Sequence, residues 1–114
     1  MNSLLIMTAC PDQEVAVQLA KSLVAEKLAA CVNIIPSVLS IYRWEDAIEE
    51  TREVLLLIKT TSVNYKALEA AIHRLHPYQV PEVLAVPIEQ AAPAYLTWLA
   101  QACQATPVNT PFEI

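Results

Sequence analysis

Two hydrophobic periods alternate along the chain, and their order predicts the order of its strands and helices. Continuous apolar runs are typical of buried strands. They span Leu4–Thr8, Leu28–Ile35 resuming at Val38–Tyr42, Glu53–Thr60 and Glu82–Ile88. Segments with an apolar residue every third or fourth position are typical of amphipathic helices, and they follow Asp12, follow Ser62 and begin at Pro93. The order of strand, helix, strand, strand, helix, strand and helix predicts an α+β, ferredoxin-like split βαβ sandwich with an added C-terminal helix.

Residues with special backbone preferences mark where these elements begin and bend. Asp12 is a suitable N-cap for the first helix, and Thr61 or Ser62 is suitable for the second. Pro36-Ser37 interrupts the second strand as a β-bulge does. The sequence therefore predicts a capped first helix and a bent second strand.

The ends of the later strands are also marked. The polar stretch Trp44–Glu50 is the predicted tip of a hairpin that joins the second and third strands. Pro87 predicts that the fourth strand lies at an edge or contains a bulge. The short tail Pro107–Ile114 could add one further strand.

Composition narrows the class of protein. With 114 residues, 55% hydrophobic and 17% charged, the chain has the size and apolar content of one domain, residues 1–114. A net charge of −5 without a basic stripe argues against nucleic-acid binding. No apolar run reaches the roughly 18 residues that a membrane span needs, and no signal-peptide pattern is present. We therefore expect a cytoplasmic protein with no nucleic-acid or membrane partner.

Cysteine and glycine usage adds two constraints. Three cysteines without a CxxC pair argue against a disulfide framework and against a zinc knuckle. The chain contains no glycine, whereas average usage of about 7% would give roughly eight. Every turn is therefore made by residues that carry a Cβ atom, and less backbone entropy is lost on folding. We expect a thermostable protein.

The stretch His76–Glu82 has the densest group of chemically active side chains. An imidazole, a phenol and a carboxylate lie within seven residues, and two prolines fix the backbone between them. In an extended chain, His76, Tyr78 and Val80 would point to one side. This segment is either a stiff connection between a helix and a strand or part of a binding site.

Five segments, at their observed order and spacing, carry a family resemblance. They are Leu28–Pro36, Ser40–Trp44, Glu53–Thr61, His76–Glu82 and Tyr95–Trp98. Together they closely resemble the CutA family, the divalent-cation-tolerance proteins, over roughly Leu4 to Trp98. The resemblance implies a ferredoxin-like fold, a tight homotrimer with strands that pair across subunits, and a role linked to divalent metal ions.

The resemblance also identifies two positions at which relatives usually carry glycine. One lies two residues after the hairpin tryptophan and holds Asp46 here; the other lies four residues before the last tyrosine and holds Ala91. Aspartate tolerates left-handed backbone angles, so Asp46 is a suitable substitute. Ala91 does not fit if its position needs a positive φ.

A copper site is the first functional hypothesis, because metal binding is associated with the family. His76, Cys31 and Glu82, with Glu53 as another candidate carboxylate, would suit a borderline divalent ion, copper above zinc. Their spacing contains no HxH, CxxC or HExxH signature. Copper sites proposed in some relatives involve a first-strand thiol, and Thr8 occupies that place here.

A small-molecule site is the alternative hypothesis. Lys59 ends an apolar strand, where a charge is costly unless it is paired or functional. Together with Glu53, Trp44, Tyr78 and His76, it could line a cleft between subunits. The trimeric ferredoxin-like layout resembles that of PII signalling proteins, which implies a small anionic effector. A bridge between Lys59 and a carboxylate that stabilises the trimer is the structural alternative.

Catalysis is the least favoured hypothesis. Cys31 and His76 could pair as nucleophile and base, but no nucleophile signature surrounds either residue.

Trp44 at a hairpin tip is hard to bury within one small subunit, which favours an oligomer. The sequence thus predicts a non-enzymatic homotrimer linked to divalent-metal tolerance, which binds copper directly or, alternatively, an anionic effector.

Overall fold

The computed structural model describes residues 2–103, in which four strands alternate with helices in the predicted order. The elements are β1 (Ser3–Cys10), α1 (Gln13–Ala25), β2 (Cys31–Trp44), β3 (Ala47–Thr61), α2 (Tyr65–Leu75), β4 (Leu84–Pro87) and α3 (Pro93–Ala102). A 3₁₀ turn over Ser62–Asn64 precedes α2. The strand predicted at Pro107–Ile114 lies outside the described residues.

The four strands form one antiparallel sheet in the order β2-β3-β1-β4. Ile6 of β1 and Val32 of β2 both pair with Ile58, so β3 lies between them. Leu5 pairs with Val86, which places β4 at the outer edge beside β1. This strand order confirms the predicted α+β, ferredoxin-like sandwich. The predicted edge position of the fourth strand is also confirmed.

The core lies between the sheet and helices α1 and α2. Alternate positions of β1 and β3, such as Ile6 and Ile58, are fully buried against helix residues such as Leu23 and Ile72. Each such side chain contributes about 1.5–3 kcal/mol of burial free energy. In α2 the predicted apolar face is confirmed at its centre, but Leu75 at its end is 41% exposed.

The hairpin between β2 and β3 is longer and tighter than predicted. Trp44 pairs directly with Ala47, so the turn consists of Glu45 and Asp46 alone. Their φ angles are 49° and 69°, as a two-residue hairpin turn with the right-handed strand twist requires. The predicted tip over Trp44–Glu50 contains this turn but is too long, because Trp44 and residues 47–50 belong to the strands. Its polar residues belong to strands that are exposed on both faces, where a polar sequence does not end a strand.

Other turn predictions have mixed outcomes. The bulge is confirmed, because the β2–β3 register shifts between Ile35 and Val38. Asp12 caps α1 by accepting a hydrogen bond from the Val15 N–H at 2.9 Å. No side-chain cap from Thr61 or Ser62 is present, because the 3₁₀ turn begins the second helical segment instead.

The two positions at which relatives carry glycine differ in backbone conformation. Asp46 has a positive φ, as expected. Ala91 is absent from the residues with positive φ, so a Cβ atom is tolerated there without strain. A further left-handed residue is Lys27, with a φ of 61°, at the end of α1.

Candidate ligand cleft

A cleft of about 560 Å³ lies between the outer half of the β2–β3 hairpin and the segment that follows α2. The residues that line it are Ala9, Ser40, Ile41, Tyr42, Trp44, Glu53, Tyr78, Gln79, Val80 and Glu82. Trp44, Glu53 and Tyr78 from the predicted small-molecule site are among them, and so is Glu82 from the predicted metal site. The fold thus brings together residues that are 38 positions apart in the chain.

Glu53 and Tyr78 form the polar centre of the cleft. The Tyr78 hydroxyl donates a hydrogen bond to Glu53 Oε2 at 2.6 Å. Burial, together with this hydrogen bond and the nearby Glu53 charge, raises the pKa of the Tyr78 phenol well above its usual range. The phenol therefore stays protonated and acts as a neutral donor. Only 8% of Glu53 is exposed.

His76 supports Tyr78 from beneath the cleft instead of lining it. Its Nδ1 accepts a hydrogen bond from the Tyr78 backbone N–H at 3.1 Å. Its Nε2 must then carry the proton, which it donates to the Ala9 carbonyl at 2.7 Å. The His76 and Tyr78 rings lie 4.6 Å apart between centroids. Both ring nitrogens are engaged, so His76 has no lone pair to offer a metal ion in this arrangement.

Glu82 supplies the second carboxylate of the cleft, on its more exposed side. Partial removal from water raises the pKa of its carboxyl group, and the neighbouring charge of Glu53 raises it further. The carboxyl group of Glu82 thus lies beside another acidic side chain, in a site that a positive charge would stabilise.

Lys59 and Cys31 lie in another part of the sheet, where they contact each other. The Lys59 ammonium group donates to Asn33 Oδ1 and lies 3.9 Å from the Cys31 sulfur. Lys59 lies six positions from Glu53 along β3, which corresponds to about 20 Å along the strand. Within one subunit, the structure therefore does not bring Lys59 into the cleft.

The predicted copper ligands are likewise separated. Cys31 pairs with Lys59, whereas His76 binds the carbonyl of Ala9. Ala9 pairs with Leu55, four positions from Lys59 along β3, which is about 13 Å. In residues 2–103, no three His, Cys, Asp or Glu side chains are placed to hold a metal ion. The trio of His76, Cys31 and Glu82 is thus not assembled in one subunit, and neither is the Cys31–His76 catalytic pair.

Sequence reasoning did not assign several residues of the cleft wall. Ser40 and Tyr42 are two of them, and they alternate along β2 with the predicted Trp44, so the strand period places all three on one face of the hairpin. Val80 shares the cleft with Tyr78, as its spacing predicts. Gln79 also lines the cleft, because the chain bends at residues 78–80 and is not extended.

The chemical character of the cleft follows from this lining. Its walls are aromatic and aliphatic, and its two ionisable carboxylates come from Glu53 and Glu82. No lysine, arginine or histidine is among the described residues that line it. Acidic groups on an apolar wall attract cations and repel anions.

The sheet order defines a ferredoxin-like α+β protein, with a cleft between a long hairpin and the connection that follows α2. The family described as CutA1 divalent ion tolerance protein matches residues 4–102. The chain belongs to this family. The predicted family resemblance is confirmed.

Relatives and solved structures agree with this assignment. The divalent-cation tolerance protein CutA of Thermus thermophilus is 47% identical over 96 residues, which cover 84% of this chain and 93% of that protein. Mouse protein CutA is 49% identical over 81% of this chain, but the chain spans only 52% of the mouse protein. The CutA structure from Xylella fastidiosa superposes with a TM-score of 0.89 at 41% identity, covering 91% of this chain and all of that one.

The location of the protein stays a prediction. One Arabidopsis thaliana relative is named as chloroplastic, and one similar structure from Archaeoglobus fulgidus is named as periplasmic. In residues 2–103, no helix is long and apolar enough to cross a membrane.

Proposed function

We propose that this chain forms a homotrimer that acts in tolerance of divalent metal ions without catalysing a reaction, and that its cleft binds a positively charged ligand. Membership of the CutA1 family supports the tolerance role, as do relatives named for divalent-cation tolerance in Thermus thermophilus and Escherichia coli. The cleft is the part of the chain that we assign to ligand binding.

The observation that carries the ligand assignment is the state of Glu53. Glu53 as a residue is 92% buried, since 8% of its surface remains exposed, and it lines the cleft. Its hydrogen bond comes from the neutral Tyr78 phenol. A buried carboxylate without a cation costs free energy, and such residues are retained where a ligand or partner supplies the missing charge.

A positively charged ligand fits this cleft better than the anionic effector of a PII-like protein. An anion would face Glu53 and Glu82 with no basic side chain in the described lining to offset them. Direct copper binding through His76 and Cys31 is also disfavoured within one subunit, because His76 is engaged through both nitrogens.

The exposed apolar surface of the subunit supports the trimer. The hairpin exposes Ile48 at 71% and the cleft residue Ile41 at 62%. The edge strand β4 also exposes Leu84 and Val86, with one side of its backbone unpaired in residues 2–103. Exposed apolar strands at a sheet edge are liable to aggregate unless another chain covers them. A second copy of the subunit would cover both surfaces.

Two features support a non-catalytic role. Cys31 and His76 lie too far apart within a subunit to act as nucleophile and base. Burial, with the charges of Asp12 and Glu53, raises the pKa of the Cys10 thiol to about 11, so this thiol is a poor nucleophile at neutral pH.

A growth experiment tests the tolerance role. The chain is expressed in a bacterial host that lacks its own CutA1 protein and is sensitive to Cu²⁺. We expect the wild-type chain to restore growth, Glu53→Gln to fail and the matched variant Glu50→Gln, outside the cleft, to succeed. Native mass spectrometry confirms that each variant is trimeric. Full rescue by trimeric Glu53→Gln would contradict a role for the cleft.

A further inference from the structure

The cleft has the dimensions of a site for an organic molecule. Its volume of about 560 Å³ lies within the range of roughly 300–1,000 Å³ that is usual for small-molecule pockets. Its walls include Ile41, Tyr42, Trp44 and Val80. A metal ion needs no such wall, because its ligands close around it at about 2.0–2.6 Å. Aromatic faces, in contrast, bind organic cations favourably.

The charge in the cleft is acidic and lacks a cationic partner within the subunit. In residues 2–103, the one ion pair joins Arg74 to Glu26 at 3.9 Å, at an exposed site. Glu53 is nine-tenths buried and directed into the cleft, where Glu82 is its acidic neighbour. A carboxylate this deeply buried is rarely left without a positive partner. This observation is independent of the shape and apolar character of the walls.

The carboxylate and imidazole groups around the cleft are poorly placed to surround a metal ion, because no three His, Cys, Asp or Glu side chains of residues 2–103 converge on one point. Glu53 Oε2 already accepts a hydrogen bond from the Tyr78 hydroxyl, and His76 has no free nitrogen. The anionic ligands that remain are Glu53 and Glu82, and the other side-chain oxygens of the cleft, such as those of Ser40 and Gln79, are neutral. An ammonium group needs only two or three acceptors, whereas divalent ions take four to eight ligands.

We propose that the cleft binds an organic ammonium ion, with its charged nitrogen against Glu53 and Glu82 and its carbon skeleton against Trp44 and Tyr42. This proposal rests on the proposed function, in which the cleft takes a positively charged ligand, and it names the chemical class of that ligand. Metal tolerance then depends on an organic cation that occupies the cleft, and not on a metal ion held by Glu53.

Isothermal titration calorimetry with three molecules of one shape tests the proposal. The probes are phenethylamine, neutral 2-phenylethanol and anionic 3-phenylpropionate, and Cu²⁺ and Zn²⁺ are titrated separately. We expect only phenethylamine to bind. Glu53→Gln should weaken its binding about tenfold or more, since the ligand loses a buried charge partner. Trp44→Leu should weaken it about threefold to tenfold. Glu50→Gln, the matched control on the hairpin, should leave it unchanged.

Each other outcome overturns the proposal in a recognisable way. Glu53-dependent binding of Cu²⁺ or Zn²⁺ without the amine would overturn the organic class but leave the proposed cationic site standing. Equal binding of amine and alcohol would show that the cleft recognises only apolar surface, and binding of the carboxylate would contradict both proposals. Glu82→Gln provides a second test if Trp44→Leu dissociates the oligomer, which native mass spectrometry detects.

Discussion

The Tyr78 hydroxyl lies 2.6 Å from Glu53 Oε2 and, within residues 2–103, is the one hydrogen-bond donor to the Glu53 side chain. A neutral donor offsets only part of the cost of burying a carboxylate. A positively charged ligand that binds beside the Glu53–Tyr78 pair would therefore lower its free energy. The ligand-free protein therefore lacks the stabilisation that a cationic ligand would supply beside Glu53, which is a cost in stability at a binding site.

The first prediction concerns the cost of the Glu53 charge. In the ligand-free protein, Glu53→Gln should raise the free energy of unfolding by about 1 kcal/mol, because the amide oxygen still accepts from Tyr78 but carries no charge. Tyr78→Phe should lower it by about 2 kcal/mol, because the carboxylate then loses its donor. Denaturant unfolding at one protein concentration measures both changes. Destabilisation by Glu53→Gln would indicate that the carboxylate is already paired in the assembled protein.

The second prediction concerns Thr8, which is fully buried with no hydrogen-bond partner for its hydroxyl. Thr8→Val keeps the shape and removes the unsatisfied group, so it should stabilise the protein by about 1 kcal/mol. Thr60→Val is the matched control, because the equally buried Thr60 hydroxyl donates to the Leu28 carbonyl at 2.7 Å. The control should be destabilised by about 1 kcal/mol or more. Equal changes in melting temperature for Thr8→Val and Thr60→Val would contradict the assignment of Thr8 as the residue with an unsatisfied hydroxyl.

The third prediction concerns the end of α1. The Leu28 N–H bonds to the Leu23 carbonyl at 3.0 Å across Lys27, which has a φ of 61°. This is the helix C-terminal motif in which glycine is favoured. Lys27→Gly should therefore stabilise the protein by about 1 kcal/mol. Ala91→Gly, at a position without positive φ, should destabilise it by about 0.5–1 kcal/mol. Thermal melts of the two variants that shift in the same direction would be inconsistent with this assignment.

The fourth prediction concerns pH. The folded-state pKa of the Glu82 carboxyl lies above its ordinary value of 4.5, through burial and the Glu53 charge. Between the unfolded and folded pKa values, the folded protein holds more protons, so stability falls as pH rises. The contribution of Glu82 is complete below 4.5 and is lost as pH rises through the folded pKa. A series of melting temperatures at constant ionic strength should show this loss in the wild type and a smaller loss in Glu82→Gln. If the melting temperatures of the wild type and of Glu82→Gln fall in parallel as pH rises, Glu82 is not the source of the pH dependence.

The fold could be predicted from the sequence because its signals are local. The apolar runs, Asp12 and Pro36-Ser37 each act within a few residues, and each gave a correct element or boundary. The hairpin turn could be located only to Trp44–Glu50, because Glu45-Asp46 has no glycine or asparagine to mark its two positive φ angles. Strand residues 41–50 are exposed on both faces, so no buried apolar face marks where the two strands end.

The cleft was predictable only in part, because it depends on distances between segments. Trp44, Glu53, Tyr78 and Glu82 do line one cleft. Lys59 shares a strand with Glu53, yet six residues of an extended strand place it about 20 Å away. The ligand role of His76 could not be judged from its residue type, because hydrogen bonds to Ala9 and Tyr78 occupy both nitrogens.

The central claim is that the protein is a trimer in which a cationic ligand binds against the Glu53 carboxylate. Native mass spectrometry of the metal-free protein, titrated with phenethylamine, tests this claim most directly. We expect a trimer that takes up to three amine molecules, with uptake lost in Glu53→Gln and kept in Glu50→Gln. A monomer, or a trimer that binds 3-phenylpropionate in preference to the amine, would contradict the claim.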